Sequence, residues 1–186
     1  VGDKWVYAGA FDPTVLVQSA GVDATVGTIN GDATTTVDAV TEVDVDGIPT
    51  LVYETSSKAD FDKGGVALEG YTGNLFIQYQ VDEVRRVSDL AKLSTDLSLN
   101  VRYVPYGISS LTQQIADITI STDYDPMSEN YDFPLRIGET WNTSYVSSTA
   151  WSGSSDYITP FPQPTSGANH TNWEITDVGK PINNLG

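Results

Sequence analysis

The chain has 186 residues and carries 25 Asp and Glu against 9 Lys and Arg, a net charge of −16. It is long enough to bury a core of its own, and too acidic to be drawn to a phosphate backbone or an anionic membrane surface. Charged residues amount to only 18%, too few for a disordered chain, no apolar run approaches the ~18 residues of a membrane-crossing helix, and the absence of cysteine excludes disulfides and thiolate metal sites.

Residues 1–11 read as a strand with Trp5, Tyr7 and Phe11 on one face. Asp12-Pro13 has the form of a helix start, an Asp cap ahead of Pro in the first turn, and predicts a short helix over residues 13–20 that Gly21 ends. Residues 22–29 are strand-like, Asn30-Gly31 is a strong hairpin signal, and residues 32–45 return with Val37, Ala39, Thr41, Val43 and Val45 on one face. Asp46-Gly47 turns the chain again into residues 49–57, with Leu51 and Tyr53 on one side. Lys63-Gly64-Gly65 reads as a break, and residues 66–71 as a short strand ahead of a turn at Gly73-Asn74.

The next two strands have the clearest pattern. Leu75, Ile77, Tyr79 and Val81 alternate with Phe76, Gln78, Gln80 and Asp82. Leu93, Leu97, Leu99, Val101 and Tyr103 then alternate with Lys92, Asp96, Ser98, Asn100 and Arg102. The short connection between the two runs predicts antiparallel neighbours with both apolar sets on one side. Pro105-Tyr106-Gly107 makes a turn, and residues 108–124 form a long strand in which Leu111 and Ile115 have the opposite parity to Ile118 and Ile120. A bulge near Gln113 would reconcile them. Asp125-Pro126 ends that strand. Residues 131–145, YDFPLRIGETWNTSY, echo the start of the chain, VGDKWVY: in each, Gly, an acid and one polar residue precede a Trp that opens a strand. Residues 150–167 read as a Ser/Gly/Pro-rich loop holding Trp151, Tyr157 and Phe161, and residues 171–178 as a last strand around Trp173 and Ile175.

Seven or more long strands with one apolar face each need a cover, and a helix over residues 13–20 is only about 12 Å long. The expectation is a single all-β, mainly antiparallel domain over residues 1–186. Its long strands form a meander curled into a half-barrel with one short helix, or alternatively two sheets stack as a sandwich. The element order and the FPLRIGETW phrase at residues 133–141 resemble secreted β-clam or half-barrel proteins related to periplasmic lipoprotein carriers, and exported proteins with a PL-x-[VI]-G-x-x-W phrase. The resemblance implies a concave sheet that holds an apolar ligand, a lipid or a lipid-linked partner, and it identifies no individual functional residue. The chain departs from those carriers in its acidity and in having less helix to cover the opening.

Three D-x-D pairs, Asp44/Asp46, Asp60/Asp62 and Asp123/Asp125, each project to one side of an extended chain, as an oxygen-ligand cation site needs. They read as strand-end and loop residues, where Asp serves turns and solubility, so neither metal nor cofactor is expected. His170, the only histidine, falls in a polar stretch without a nucleophile motif, and no carboxylate pair stands out for glycoside chemistry. Trp5, Tyr7, Tyr53, Tyr79, Tyr103, Trp141 and Tyr145 fall on apolar strand faces and read as core, with Trp5 and Trp141 as anchors.

The expected ligand-binding set is Leu75, Ile77, Tyr79, Val81, Leu97, Leu99, Val101 and Tyr103 lining the concavity, with Trp151, Tyr157 and Phe161 closing over it. The reading is a secreted, non-enzymatic binding module for a lipid or other apolar small molecule. The alternative is an adhesion-like surface β-sandwich that binds proteins or glycans. No nucleic acid is expected and no protein partner is indicated. Val1 in place of Met fits loss of a signal or anchor segment, and an arbitrary boundary fits equally. The sequons at residues 142–144 and 169–171 suit an extracellular or cell-envelope location. The lack of a terminal anchor raises the expectation of an incomplete C-terminus.

Overall fold

The computed structural model describes residues 1–12, 14, 24–129, 137–138, 140–155 and 162–174, and strands make up 80% of them. The strands are β1 (Lys4–Phe11), β2 (Ala24–Thr25), β3 (Ile29–Val45), β4 (Ile48–Leu68), β5 (Tyr71–Arg86), β6 (Lys92–Pro105), β7 (Gln113–Ser128), β8 (Thr140–Ser155) and β9 (Thr165–Glu174). A 3-10 turn, Ser109–Leu111, precedes β7. All nine strands belong to one antiparallel sheet in the order β1-β3-β4-β5-β6-β7-β8-β9, with β2 paired to the far end of β4.

The all-β meander is as expected, but the curl is not. The sheet is open and uncurled, each strand's backbone lies close only to its hydrogen-bonded neighbours, and no second sheet lies among the described residues. Neither a half-barrel nor a two-sheet sandwich is formed. Two physical reasons are visible. Tight connections such as Asp46-Gly47 and Glu69-Gly70 can only lay the next strand beside the last. The register shifts that could bend the sheet lie at Asp38 in the middle of β3 and near the strand ends at Leu93, Gly65 and Ile115. The middle of β4 to β7 is left in unbroken register.

Several local signals were used differently from their sequence reading. Asp46-Gly47 is the expected hairpin turn, with φ of 55° and 82°. Asn30-Gly31 is not a turn and lies inside β3. Gly31 is required there for space, because a Cβ would overlap the Phe61 ring of β4. Gly73-Asn74 lies inside β5, and the chain turns earlier, at Glu69-Gly70, with φ of 50° and 82°. Gly64-Gly65 does not break β4 but accommodates a bulge, in which Gly65 (φ 73°) donates its N–H to the Tyr106 hydroxyl at 2.8 Å. The bulge at Asp38 pairs Val37 with Thr55 and Ala39 with Glu54, so Val37 and Ala39 lie on opposite faces rather than on one. The bulge expected near Gln113 sits at Ile115. Pro126 does not end β7, which runs on to Ser128. Of the expected helix only Thr14 is described. It is helical, and its N–H bonds Asp12 Oδ1 at 2.9 Å as the cap requires, while the rest of residues 13–20 lies outside the described residues.

The main core cluster lies at one end of the sheet, while Val52 and Ala91 are sealed toward the other. Ala24, Val26, Ile29, Val66, Leu68, Leu75 and Tyr103 form the sealed cluster, flanked by Phe61, Ile77, Val101 and Ile115. Thr14 Oγ1 helps close this end by accepting the N–H groups of Val26 (3.1 Å) and Gly27 (3.0 Å). Tyr103 is 1% exposed, and its hydroxyl lies 2.7 Å from the Tyr71 carbonyl and 3.2 Å from that of Val66, which ties β6 to the β4–β5 turn. Burial raises the Tyr103 pKa. Trp5 and Tyr7, expected in the core, are 47% and 58% exposed, because β1 is an edge strand with a neighbour on one side only.

The pair Gly9 and Gly31 face each other in register and provide an internal control. Gly31→Ala should lower stability by about 1–3 kcal/mol, since the methyl group overlaps Phe61. A Cβ at Gly9 meets nothing within 4 Å, so Gly9→Ala should change stability by less than about 1 kcal/mol. Urea unfolding of the two variants checks the contrast, and equal midpoints would refute the packing role of Gly31.

Candidate functional site

Register builds a continuous apolar face across the middle of the sheet. Leu75 stands opposite Tyr103, Ile77 opposite Val101, Tyr79 opposite Leu99 and Val81 opposite Leu97, as the matched parity of the two runs required. The ladder continues to Ile118 and Ile120 of β7, which pair with Leu99 and Leu97, and then to Trp151 of β8, opposite Ile120. On the other side Phe61 pairs with Ile77 and Ala59 with Tyr79. Tyr124 and Tyr145 extend the same parity and meet edge-on, with ring centroids 5.5 Å apart.

The expected binding residues are not equally accessible on this face. Leu75 and Tyr103 belong to the sealed core, and Ile77 and Val101 pack against it. Tyr79, Val81, Leu97 and Leu99 are half-buried and Ala59 and Ile118 beside them are buried, whereas on the opposite face Gln80 and Asp82 are half-buried and Lys58, Asp60, Gln78, Asp96, Ser98 and Asp117 are exposed. Trp151 is not in a loop, because β8 extends to Ser155 and carries it as a half-buried strand residue. Tyr157 and Phe161 lie outside the described residues.

A charged cluster borders the apolar face at the end away from the core. Glu83 accepts hydrogen bonds from Arg85 at 2.7 and 3.0 Å and contacts Lys92 at 2.7 Å. Next to it, Arg86 bridges Asp89 and Glu129. Partial burial works to raise the Glu83 pKa, but the hydrogen bonds and charges of Lys92 and Arg85 outweigh it and hold the carboxyl below its ordinary range. Asp89 is shifted the same way, with desolvation outweighed by its Arg86 partner.

The opposite face has a polar trough that the sequence did not single out. A cavity of about 340 Å³ spans β4 to β7, with Lys58, Asp60, Gln78, Gln80, Asn100 and Asp117 among its lining residues. Asp60, Gln78, Asn100 and Asp117 form one row across four strands, and Gln78 Nε2 donates to Asp60 Oδ1 at 3.0 Å. The signal was present in the polar partners of the β5 and β6 alternation. It went unused because such residues read simply as the wet side. Asp60/Asp62 and Asp123/Asp125 sit within long strands and not at their ends, whereas Asp44 does serve a turn, accepting Gly47 N–H at 2.8 Å. Among the described residues no three His, Asp or Glu converge as metal ligands. His170 is a strand residue of β9 rather than a loop residue, and its Nδ1 lies 2.6 Å from Ser144 Oγ. No carboxylate bonds its other nitrogen among the described residues, so the pair lacks the third member of a catalytic triad.

Compared with family models, curated proteins and solved structures, the chain matches none of them.

The Glu83 cluster makes stability pH-dependent. A carboxyl whose pKa is depressed by folding stabilises the native state above its unfolded value of about 4.3, and that contribution is lost as pH falls through the lower folded value. Glu83→Gln should therefore cost about 1 kcal/mol at pH 7, and the gap to the parent protein should close below about pH 4. Thermal melts of both proteins from pH 7 to 3 measure it. A gap that stays constant with pH would contradict the ion-pair account.

Proposed function

We propose that the protein is a non-catalytic binding module of the surface type, working through the apolar face of its sheet on a partner that presents an extended apolar surface. The carrying observation is a set of adjacent apolar rows between β4 and β8: Phe61, Ile77, Val101 and Ala116 in one, Ala59, Tyr79, Leu99 and Ile118 in the next, and Val81, Leu97, Ile120 and Trp151 in the third. The half-buried members, Tyr79, Val81, Leu97, Leu99, Ile120 and Trp151, lie on four neighbouring strands, a patch with a breadth on the scale of a protein contact. The charged border of Glu83, Arg85 and Lys92 gives it the polar rim such contacts have. A location outside the cell or in its envelope fits this reading, and no convergent set of reacting groups supports an enzyme reading among the described residues.

A second reading, an acyl chain or similar apolar ligand lying along Tyr79, Val81, Leu97 and Leu99, is favoured by the resemblance to lipoprotein carriers. An open sheet gives it less support than a curled one, since small-molecule sites bury most of their ligand.

Nile red, an uncharged dye, tests the face itself. It should bind the folded protein saturably, and Leu99→Lys should reduce binding at least severalfold while the far-UV spectrum is unchanged. Absence of dye binding would overturn the proposal. Native mass spectrometry separates the two readings: a co-purifying lipid adduct that Leu99→Lys abolishes would favour the acyl ligand, and a bare 20.1 kDa chain the broad partner.

A further inference from the structure

The two outermost strands are built to meet each other. Among the described residues β1 is hydrogen-bonded only to β3 and β9 only to β8, leaving one open backbone edge on each side of the sheet. The antiparallel path from β1 to β9 has an even number of strands, so the two edges run in opposite directions. A second copy displaced sideways in the plane of the sheet therefore offers its β9 antiparallel to β1, with both apolar faces on the same side.

Edges of this kind are normally blunted by charge, proline or bulges. Here β1, KWVYAGAF, carries a single charged residue, Lys4, and β9, TSGANHTNWE, a single carboxylate, Glu174. Neither strand contains Pro, and neither register is bulged. Trp5, Val6 and Tyr7 are 47%, 60% and 58% exposed. In a chain of net charge −16, the two edges carry only one acid between them, Glu174.

The internal echo supplies the register. The segment ending in Trp141 repeats the one ending in Trp5, Gly-Glu-Thr-Trp for Gly-Asp-Lys-Trp, and within the chain β8 sets Thr140 opposite Glu174, Trp141 opposite Trp173 and Thr143 opposite Thr171. Substituting β1 for β8 by the same alignment sets Lys4 opposite Glu174, Trp5 opposite Trp173, Val6 opposite Asn172 and Tyr7 opposite Thr171. That register aligns the one cation of the first edge with the one carboxylate of the second, and Trp5 with Trp173, in sequence position. We infer that β1 of one copy adds antiparallel to β9 of a second copy in this register, extending the sheet head to tail. The inference does not depend on what the apolar face binds.

The cysteine-free chain makes the register testable. Val6→Cys and Asn172→Cys, each checked for unchanged melting, are oxidised alone and as a mixture. The mixture should give a disulfide-linked dimer at least tenfold in excess of either variant alone. A Val6→Cys homodimer forming as readily would mean pairing of β1 with β1, and no cross-link would mean no such contact; either overturns the inference. Sedimentation of the unmodified protein gives an independent measure. Screening shortens the Debye length from about 30 Å at 0.01 M salt to about 3 Å at 1 M. Copies that repel through their net charge should therefore associate more at high salt, with average mass rising beyond that of a dimer as concentration increases. A mass fixed at 20.1 kDa throughout also overturns the inference.

Discussion

A sheet of one layer must draw its stability from within its own plane. With no opposing sheet to pack on, most of these strands rely on hydrogen bonds to both neighbours and on side-chain pairs one strand away, each contributing about 0.2–1 kcal/mol. The strands are long for this reason. β4 runs from Ile48 to Leu68, and β5, β7 and β8 are of similar order, so many modest pairs accumulate along each seam. Side-chain hydrogen bonds such as Thr35 to Ser57 (2.7 Å) and Thr122 to Thr149 (3.0 Å) reinforce the ladder where apolar pairs run out. The end closed by Val66, Leu68, Leu75 and Tyr103 has the sealed packing of an ordinary core, and Val52 and Ala91 are sealed at the other.

The charge distribution follows from the same geometry. With two broad faces to keep wet or apolar, the chain places acids along the polar side, even setting Asp82 directly opposite Asp96. Such a pair is unfavourable. Gln80 Nε2 offsets part of the cost by donating to both Asp82 oxygens, at 2.9 and 2.7 Å. Arg85, Arg86 and Lys92 gather at the β5–β6 connection, where they pair with Glu83, Asp89 and Glu129 and do little to neutralise the polar face.

What the sequence made legible was local. The alternation in β5 and β6 gave strands, faces and mutual register, since a period of two needs nothing beyond neighbouring residues. Asp46-Gly47 was readable because both residues tolerate positive φ. Glu69-Gly70 was not, since Glu rarely takes that conformation, and Asn30-Gly31 misled because the glycine meets a spatial demand from Phe61, a residue thirty positions away. The number of layers was the largest miss. An apolar face states that something should cover it, but nothing in the alternation says whether that cover is the same sheet curled over, a second sheet or another molecule. The candidate site inherits this division: its ladder of residues could be read from the sequence, its openness could not, and Trp151 was misplaced because Ser- and Gly-rich sequence resembles a loop even when it is a strand.

Backbone proximity restricted to adjacent strands, with few side-chain ties beyond them such as Tyr103 to Val66, gives the molecule a connectivity close to that of a linear array. Stability in such arrays is close to a sum of intrinsic terms and nearest-neighbour couplings, so cooperativity decays with distance along the array instead of spreading through a shared centre. The β4–β6 segment, which carries the sealed packing, would act as the nucleus, and strands farther along, toward β9, depend on it only through each intermediate seam. Gain or loss of a terminal hairpin would then leave the nucleus intact, a tolerance that barrels lack, because there every strand also closes the ring.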